Sequence, residues 1–87
     1  MRIWKYRLNI IDEQQLFLPV DAKILTVQTQ HGTCYLWTLV NEENTAKELR
    51  KIAIYGTGNP LPDNPGEYIG TFQMRGGDLV FHVFEVK

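Results

Sequence analysis

The dominant feature of the sequence is an alternation of apolar and polar residues with a period of two. Near the start, one set of alternate residues is apolar and the set between them is polar: Trp4, Tyr6, Leu8 and Ile10, against Lys5, Arg7 and Asn9. Successive side chains of a β-strand point to opposite faces, so this pattern predicts a strand with one buried and one solvated face. Strands of this kind bury their apolar faces only against other elements, which constrains the chain to a sheet-based core.

A hairpin is predicted in the first half of the chain. Residues 24–29 are rich in β-branched side chains, and residues 33–40 form a continuous apolar run. His31 and Gly32 lie between the two runs and offer a tight connection, because glycine adopts a positive φ angle at little cost. The two runs are therefore expected to pair as adjacent antiparallel strands.

The second arm of this hairpin is apolar on both of its faces. That pattern is typical of a central strand covered on each side, or of a strand that offers one face to a partner chain. Tyr35 and Trp37 share one face, and tyrosine and tryptophan are frequent anchors of binding surfaces. We therefore predict Tyr35 and Trp37 as protein-interface residues.

Three more strands are predicted from similar patterns. Residues 16–18 form a short apolar run that Pro19 ends, because proline has no N–H to donate, and this strand is expected at a sheet edge. Residues 68–74 alternate, and residues 79–86 form an apolar run. The two glycines within residues 75–78 allow the positive φ angles of a tight hairpin turn between them.

The segment from residue 46 to residue 53 supports two alternatives. Thr45 and Glu48 have the spacing of a capping box, which predicts a short helix over 46–53. Ile52 and Ile54 are instead typical of a strand that begins with polar residues near a sheet edge. We favour the strand.

These segments predict an all-β fold, a small antiparallel barrel or sandwich of six to seven short strands with at most one short helix near residues 46–53. A chain of 87 residues cannot divide its burial between two cores, so we expect a single β domain over residues 1–87. Within residues 68–74, the alternation places Tyr68 on the face of Phe72 and Met74.

The stretch from residue 55 to residue 66, rich in proline and glycine, is the one long irregular loop of the prediction. Long loops in small domains are often functional. Tyrosine rings here could stack on a base, and small residues could let a phosphate or ribose approach the backbone. The residues predicted to bind such a ligand are Tyr55, Gly56, Thr57, Gly58, Asn59 and Tyr68. The alternative is structural: the glycines let the chain leave a strand sharply, and Pro60 removes a donor that a phosphate site would use.

The charge balance gives no strong nucleic-acid signal. Nine Lys and Arg against ten Asp and Glu give a net charge of −1. Lys5 and Arg7 are predicted to lie on the opposite face from Trp4 and Tyr6, whereas a base-stacking platform needs cations and rings on one surface.

The single cysteine excludes an intramolecular disulfide and is typical of a reducing compartment. No apolar run approaches the roughly 20 residues of a membrane span, and the charged start does not resemble a signal peptide. We expect a cytoplasmic protein with no membrane partner.

No residue set has the spacing of a catalytic or metal site. The His and Cys residues, His31, Cys34 and His82, lack the tight spacing of a structural zinc site. Cys34 lies within a predicted strand with no base beside it, so we expect a core residue. His82 is expected to be hydrogen-bonded across the sheet. We predict no catalytic residue, no metal and no cofactor.

Several stretches together resemble a family of small proteins, with no established activity, encoded by tailed bacteriophages and prophages. The matching stretches span nearly the whole chain: Ile3–Tyr6, Ala22–Leu25, Leu36–Trp37, Gly56–Pro60, Gly66–Gln73 and Leu79–Phe84. The resemblance implies a phage accessory gene and a strand at residues 47 to 55, and it carries over no functional residue.

Three functions are compatible with these observations. The first, which we favour, is a non-enzymatic accessory protein that binds a host protein of defence or metabolism. The second is an oligomeric small-molecule binder that sequesters a nucleotide signal, and the third is a virion or DNA-packaging accessory protein. We expect a homo-oligomer, because residues 33–40 and 79–86 have more apolar surface than a small domain covers alone.

Overall fold

The computed structural model describes all residues from Met1 to Lys87 and contains seven strands and one turn of 3-10 helix. The strands are β1 (Arg2–Arg7), β2 (Glu13–Pro19), β3 (Lys23–Gln30), β4 (Thr33–Val40), β5 (Lys47–Gly56), β6 (Glu67–Met74) and β7 (Leu79–Val86), and the 3-10 turn is Arg75–Gly77. The all-β prediction is confirmed, with the strand number at the upper end of the expected range. None of these elements is a helix of the length and apolarity that crossing a bilayer requires.

The strands form two antiparallel sheets. We call the three-stranded sheet, with order β1-β4-β3, sheet A, and the four-stranded sheet, with order β2-β5-β7-β6, sheet B. The smallest dimension of the molecule is 16 Å, which fits two sheets stacked about 10 Å apart. No hydrogen-bonded ladder joins the sheets where β3 and β6 adjoin, so the fold is a sandwich and not a closed barrel.

One apolar core lies between the two sheets. Its residues come from the inner faces of both sheets and the adjoining turns: Leu8, Leu18, Ala22, Val27, Cys34, Leu36, Val40, Ile52, Ile54, Phe72 and Val83. Fully burying an aliphatic side chain of this size stabilises a fold by about 1.5–3 kcal/mol. Cys34 is 2% exposed, as predicted for a core residue.

The first strand is less buried than its alternation predicts. Leu8, just beyond β1, lies in the core, but Trp4 is 40% exposed and Ile10 is 41% exposed. β1 is an edge strand that pairs only with β4, so part of its inner face extends past the cover that sheet B provides.

The ambiguous segment is a strand, as favoured, and it forms β5 (Lys47–Gly56). The residues that precede it make contacts other than those of a helix cap. Asn44 Oδ1 accepts a hydrogen bond from the Ala46 N–H at 3.3 Å, and Asn44 Nδ2 donates to the Val20 carbonyl at 3.0 Å. The apolar end of β5 is buried between β2 and β7, and this burial stabilises the strand more than the capping-box spacing stabilises a helix.

Two predicted turns are present. His31 and Gly32 both have positive φ angles, 50° and 77°, as a two-residue hairpin connection of this hand requires. The turn between β6 and β7 is longer than a tight glycine pair, because Met74 pairs with Leu79 and four residues lie between them.

An ion pair closes one end of the core. Glu85, on the inner face of β7, is 6% exposed. Arg50 Nη2 donates to Glu85 Oε1 at 3.0 Å, and Arg50 Nε donates to Glu85 Oε2. Arg50 Nη1 donates to the Ala22 carbonyl at 2.9 Å, which ties the turn before β3 to sheet B.

Candidate functional site

The outer face of sheet B brings together several residues predicted to bind a ligand. His82 on β7 pairs with Tyr55 on β5 and with Thr71 on β6. These three side chains therefore lie side by side on one face. Thr57 follows at the start of the long loop and contacts His82, so the loop begins at this row.

Tyr68 lies on the same outer face, and its predicted position beside Phe72 is wrong. The register of β6 shifts between Tyr68 and Gly70, which leaves Ile69 without a partner. An extra residue in one strand reverses the alternation beyond it. Tyr68 therefore contacts Phe84 on the outer face, whereas Phe72 is buried in the core.

Three aromatic rings form a ledge on this face. The Phe84 ring lies between Tyr55 and Tyr68, with ring-centroid distances of 5.9 Å and 5.5 Å. Both contacts are edge-on, which is a favourable arrangement for aromatic pairs. Tyr68 is 56% exposed, so its ring is open to a ligand. Sequence reasoning missed Phe84, although its place in the alternation of β7 opposite Val83 is the signal that would have found it.

A chain of hydrogen bonds runs beside this ledge. Tyr68 Oη lies 2.5 Å from Thr71 Oγ1, and Thr71 Oγ1 lies 2.9 Å from His82 Nδ1. On the other side of the imidazole, His82 Nε2 lies 2.7 Å from Thr57 Oγ1, which is also 3.4 Å from the Val80 carbonyl oxygen. The prediction that His82 is hydrogen-bonded across the sheet is confirmed.

Two proton arrangements fit this chain for a neutral imidazole. In one, His82 Nε2–H donates to the Thr57 hydroxyl and His82 Nδ1 accepts from Thr71; in the other, His82 Nδ1–H donates to Thr71 and His82 Nε2 accepts from Thr57. The Val80 carbonyl already accepts from the Thr57 N–H at 3.0 Å, so its longer contact with the Thr57 hydroxyl does not select between them.

A groove of about 340 Å³ adjoins Tyr55, between the start of β2 and the long loop; we call it the Tyr55 groove. It is lined by Asp12, Glu13, Ile54, Tyr55, Asn59 and Pro60. The lining carries two carboxylates and no Lys or Arg. A Glu13 carboxylate oxygen lies 3.5 Å from Nζ of Lys51, which is not part of the groove lining. The backbone carbonyl of Asp12 accepts a hydrogen bond from the Ile54 N–H, and the Asp12 carboxylate has no ion-pair partner.

The loop residues predicted to approach a phosphate differ in their hydrogen bonding and in their exposure to solvent. The N–H of Thr57 donates to the Val80 carbonyl at 3.0 Å, and the N–H of Asn59 donates to the Gly56 carbonyl at 3.1 Å. These two donors are therefore used within the protein. Gly58 has a φ of 88°, and a Cβ added there would meet no atom within 4 Å, so Gly58 faces open solvent.

The outer face of sheet A holds the two predicted interface residues. Tyr35 and Trp37 on β4 contact each other edge-on at 6.2 Å. Arg7 and Lys5 on β1 pair directly with them. Lys5 Nζ lies 4.4 Å from the Tyr35 ring centroid and 5.7 Å from the Trp37 centroid. We call Tyr35, Trp37, Lys5 and Arg7 the basic face.

The charge of sheet A is one-sided. Its three strands carry four Lys or Arg residues and no Asp or Glu. Arg2 is paired with Glu42 at 3.6 Å, whereas Lys23 pairs with Leu39 on the same side as the basic face. The chain's net charge of −1 therefore hides a sheet that is locally positive.

The remaining chemically reactive residues lie apart from both faces. No group of three or more His, Cys, Asp or Glu side chains is arranged to hold a metal ion. Cys34 is buried, and burial raises the pKa of its thiol to about 11. A thiol with such a pKa is largely protonated at neutral pH and is a poor nucleophile.

Comparison with known proteins gives a family and no further relative. No curated protein matches the chain, and no solved structure matches it. The family model for a domain of unknown function, DUF7352, matches residues 1–87. The match covers the full length of both sheets, and the chain therefore belongs to the DUF7352 family.

Proposed function

We propose that this protein acts by binding and not by turnover, as a phage-encoded accessory protein in the bacterial cytoplasm. Its partner is a host protein, of defence or metabolism, with an acidic surface. One observation carries the proposal: Tyr35 and Trp37 lie on one face with Lys5 and Arg7, in a sheet without a single carboxylate.

The composition of the basic face supports a protein partner. Tryptophan, tyrosine and arginine are the residues that most often dominate the energy of protein interfaces, and Trp37, Tyr35 and Arg7 are adjacent here. Unpaired cations at such a face favour an acidic partner and speed its association.

The proposal is tested by affinity capture from bacterial lysate, with and without nuclease treatment. The wild-type chain is compared with Trp37→Ala and with Lys5→Glu/Arg7→Glu, and the captured proteins are identified by mass spectrometry. Leu61→Ala is the control, because Leu61 is 44% exposed and lies outside the strands of both sheets. We expect both basic-face variants to lose a partner that the control keeps.

Folded basic-face variants that keep every partner would contradict the assignment of this face. Partners that disappear only on nuclease treatment would replace the protein partner with a nucleic acid. Raising the salt concentration should weaken capture, since exposed charges are screened over about 8 Å at physiological ionic strength.

We also propose that the protein is a homo-oligomer. The basic face is a poor self-contact, because like charges would meet across a twofold axis. Phe17 and Leu49 pair across β2 and β5 and are 66% and 48% exposed, so the edge of sheet B is the better candidate. Native mass spectrometry of the wild type and of Phe17→Lys tests this: a monomer in the wild type would contradict it.

A second candidate function, sequestration of a nucleotide signal, is favoured by the aromatic ledge. Tyr55 and Tyr68, predicted from sequence to stack on a base, lie on either side of Phe84 on one face. Thermal unfolding with a panel of linear and cyclic nucleotides tests this candidate, because a ligand of the folded state raises the Tm. No shift at millimolar ligand would contradict it.

A further inference from the structure

We infer that the Tyr55 groove binds an uncharged planar heterocycle, a nucleobase or its nucleoside, whose N–H groups donate to Asp12 and Glu13 while any phosphate stays in solvent. This inference rests on the second candidate function and changes what the ligand must be. The protein would recognise the base, and a phosphate on the ligand would weaken binding.

The shape and lining of the groove suit one aromatic ring system. Its volume of about 340 Å³ lies at the small end of the range for ligand sites, about 300–1,000 Å³. Tyr55 offers a ring wall and Pro60 adds apolar surface, whereas the Ile54 side chain is 4% exposed and packs in the core. Stacking of a base on an aromatic side chain is worth about 1–3 kcal/mol, and this term depends on the ring and not on a charge.

The charges of the groove select against phosphate. Asp12 and Glu13 are its only ionised lining residues. Lys51 lies 3.5 Å from Glu13 and offsets its charge, so Asp12 is the lining carboxylate without a cation partner. Carboxylates accept hydrogen bonds and cannot donate them, so the groove favours the amino and ring N–H groups of adenine, guanine or cytosine.

The aromatic ledge beside the groove also suits an uncharged ligand. Glu13, Ala53, Phe84 and Tyr68 form one row of paired residues across sheet B, about 14 Å long at the usual strand spacing. A ribose attached to a base at Tyr55 can reach Phe84, whose ring centroid lies 5.9 Å from that of Tyr55. The exposed Tyr68 hydroxyl beyond Phe84 can donate to or accept from a ribose hydroxyl.

The test is a ligand series on the full chain, followed by thermal unfolding and by NMR titration. The probes are adenosine, guanosine, adenosine 5′-monophosphate and N6,N6-dimethyladenosine, which lacks the amino donors. We expect adenosine or guanosine at a hundredfold excess over its Kd to raise the Tm by about 10 °C or more. Repulsion between the phosphate and the Asp12 carboxylate, which has no cation partner, should make the monophosphate bind about two- to fivefold more weakly.

Three variants locate the contacts. Tyr55→Ala should lose the Tm rise, whereas Tyr55→Phe keeps the ring and should retain it. Asp12→Asn should reduce the difference in affinity between adenosine and adenosine 5′-monophosphate. Asp63→Asn is the matched control, because Asp63 is an exposed carboxylate of the same loop outside the groove lining, and it should behave as the wild type.

The outcomes separate this inference from the candidate function beneath it. Tighter binding of the monophosphate than of adenosine would overturn the inference and leave nucleotide sequestration standing. Equal binding of adenosine and N6,N6-dimethyladenosine would overturn the donor contacts to the carboxylates. No response to any nucleoside or nucleotide would overturn both.

Discussion

The buried ion pair between Arg50 and Glu85 should be one of the most sensitive points of the fold. The Arg50 and Glu85 side chains are 15% and 8% exposed, so a charge left alone there has little access to water. Removing one partner of a buried pair costs about 3–5 kcal/mol. Because Lys87 stays 3.3 Å from Glu85, we expect Arg50→Met to fall at the lower end, about 3 kcal/mol.

This loss is measurable by urea and thermal unfolding. In a domain of this size each kcal/mol lowers the Tm by about 4–8 °C, so Arg50→Met should lose about 12–24 °C. The double variant Arg50→Met/Glu85→Met leaves no unpaired charge, and replacing both partners by apolar groups is often neutral. We expect the double variant to regain most of the stability that either single variant loses.

Two results would refute this reasoning. Losses below about 1 kcal/mol in both single variants would mean that the pair behaves as an exposed one. Losses that simply add in the double variant would mean that the two side chains act independently.

The same pair gives the fold a dependence on acid. The hydrogen bond from Arg50 lowers the pKa of Glu85 from its ordinary value of 4.5, against the opposing effect of burial. The folded pKa is then below the unfolded one. The stabilisation is therefore fully present above about pH 4.5 and is lost as the pH falls through the folded pKa. Glu85→Gln should flatten this part of the stability profile, and an unchanged acid profile would assign it to other carboxylates.

Three further predictions concern single side chains. Gly66→Ala should lower the free energy of unfolding by at least about 2 kcal/mol, because the φ angle of Gly66 is 104° and an added Cβ would lie 2.1 Å from a backbone oxygen of β7. A Cβ at Gly58 meets no atom within 4 Å, so Gly58→Ala should lower it by less. Chemical unfolding of the two variants compares these losses. Ile52→Ala empties a fully buried site and should cost about 2–5 kcal/mol, while Leu61→Ala, at an exposed position, should be nearly neutral in the same assay. Cys34, with a thiol pKa of about 11, should resist a thiol reagent at pH 8 until the protein is unfolded by urea.

The strands were predictable because each one carries its own signal. The alternation in β1, the apolar run of β4 and the glycine between β3 and β4 are local patterns, and local patterns report side-chain faces directly. The choice of strand over helix for β5 depended on Ile52 and Ile54, whose burial is the tertiary term that overrides the capping-box spacing.

The neighbours across a sheet were not predictable in the same way. Lys5 and Arg7 do lie on the opposite face of β1 from Trp4 and Tyr6, as the alternation indicates. Pairing with β4 then brings Lys5 next to Trp37, thirty-two positions away in the chain. Register between distant strands depends on the whole fold, and one residue of slip reverses every face.

The candidate ligand site shows the same limit. The loop residues and Tyr55 were found from composition, but Tyr68 was assigned to the wrong face because the bulge at Ile69 is invisible in the alternation. Asp12 and Glu13 lie more than forty positions from Tyr55 in the sequence, and no local pattern links them to it. They line the same groove because Glu13 pairs with Ala53, which brings the start of β2 beside Tyr55.

The net charge of −1 conceals a separation of charge between the two proposed binding faces. The strands of sheet A have cations and no carboxylates, whereas the lining of the Tyr55 groove has two carboxylates, of which Glu13 is paired with Lys51. Both outer faces offer aromatic rings, so the rings alone do not discriminate between partners. The sign of the charge beside the rings is therefore the basis of the two proposals, an acidic surface for Trp37 and Tyr35 and a donor-rich base for Tyr55. A substitution that inverts the charge at one face should therefore change which class of ligand it accepts while the core between the sheets, and the fold, stay as they are.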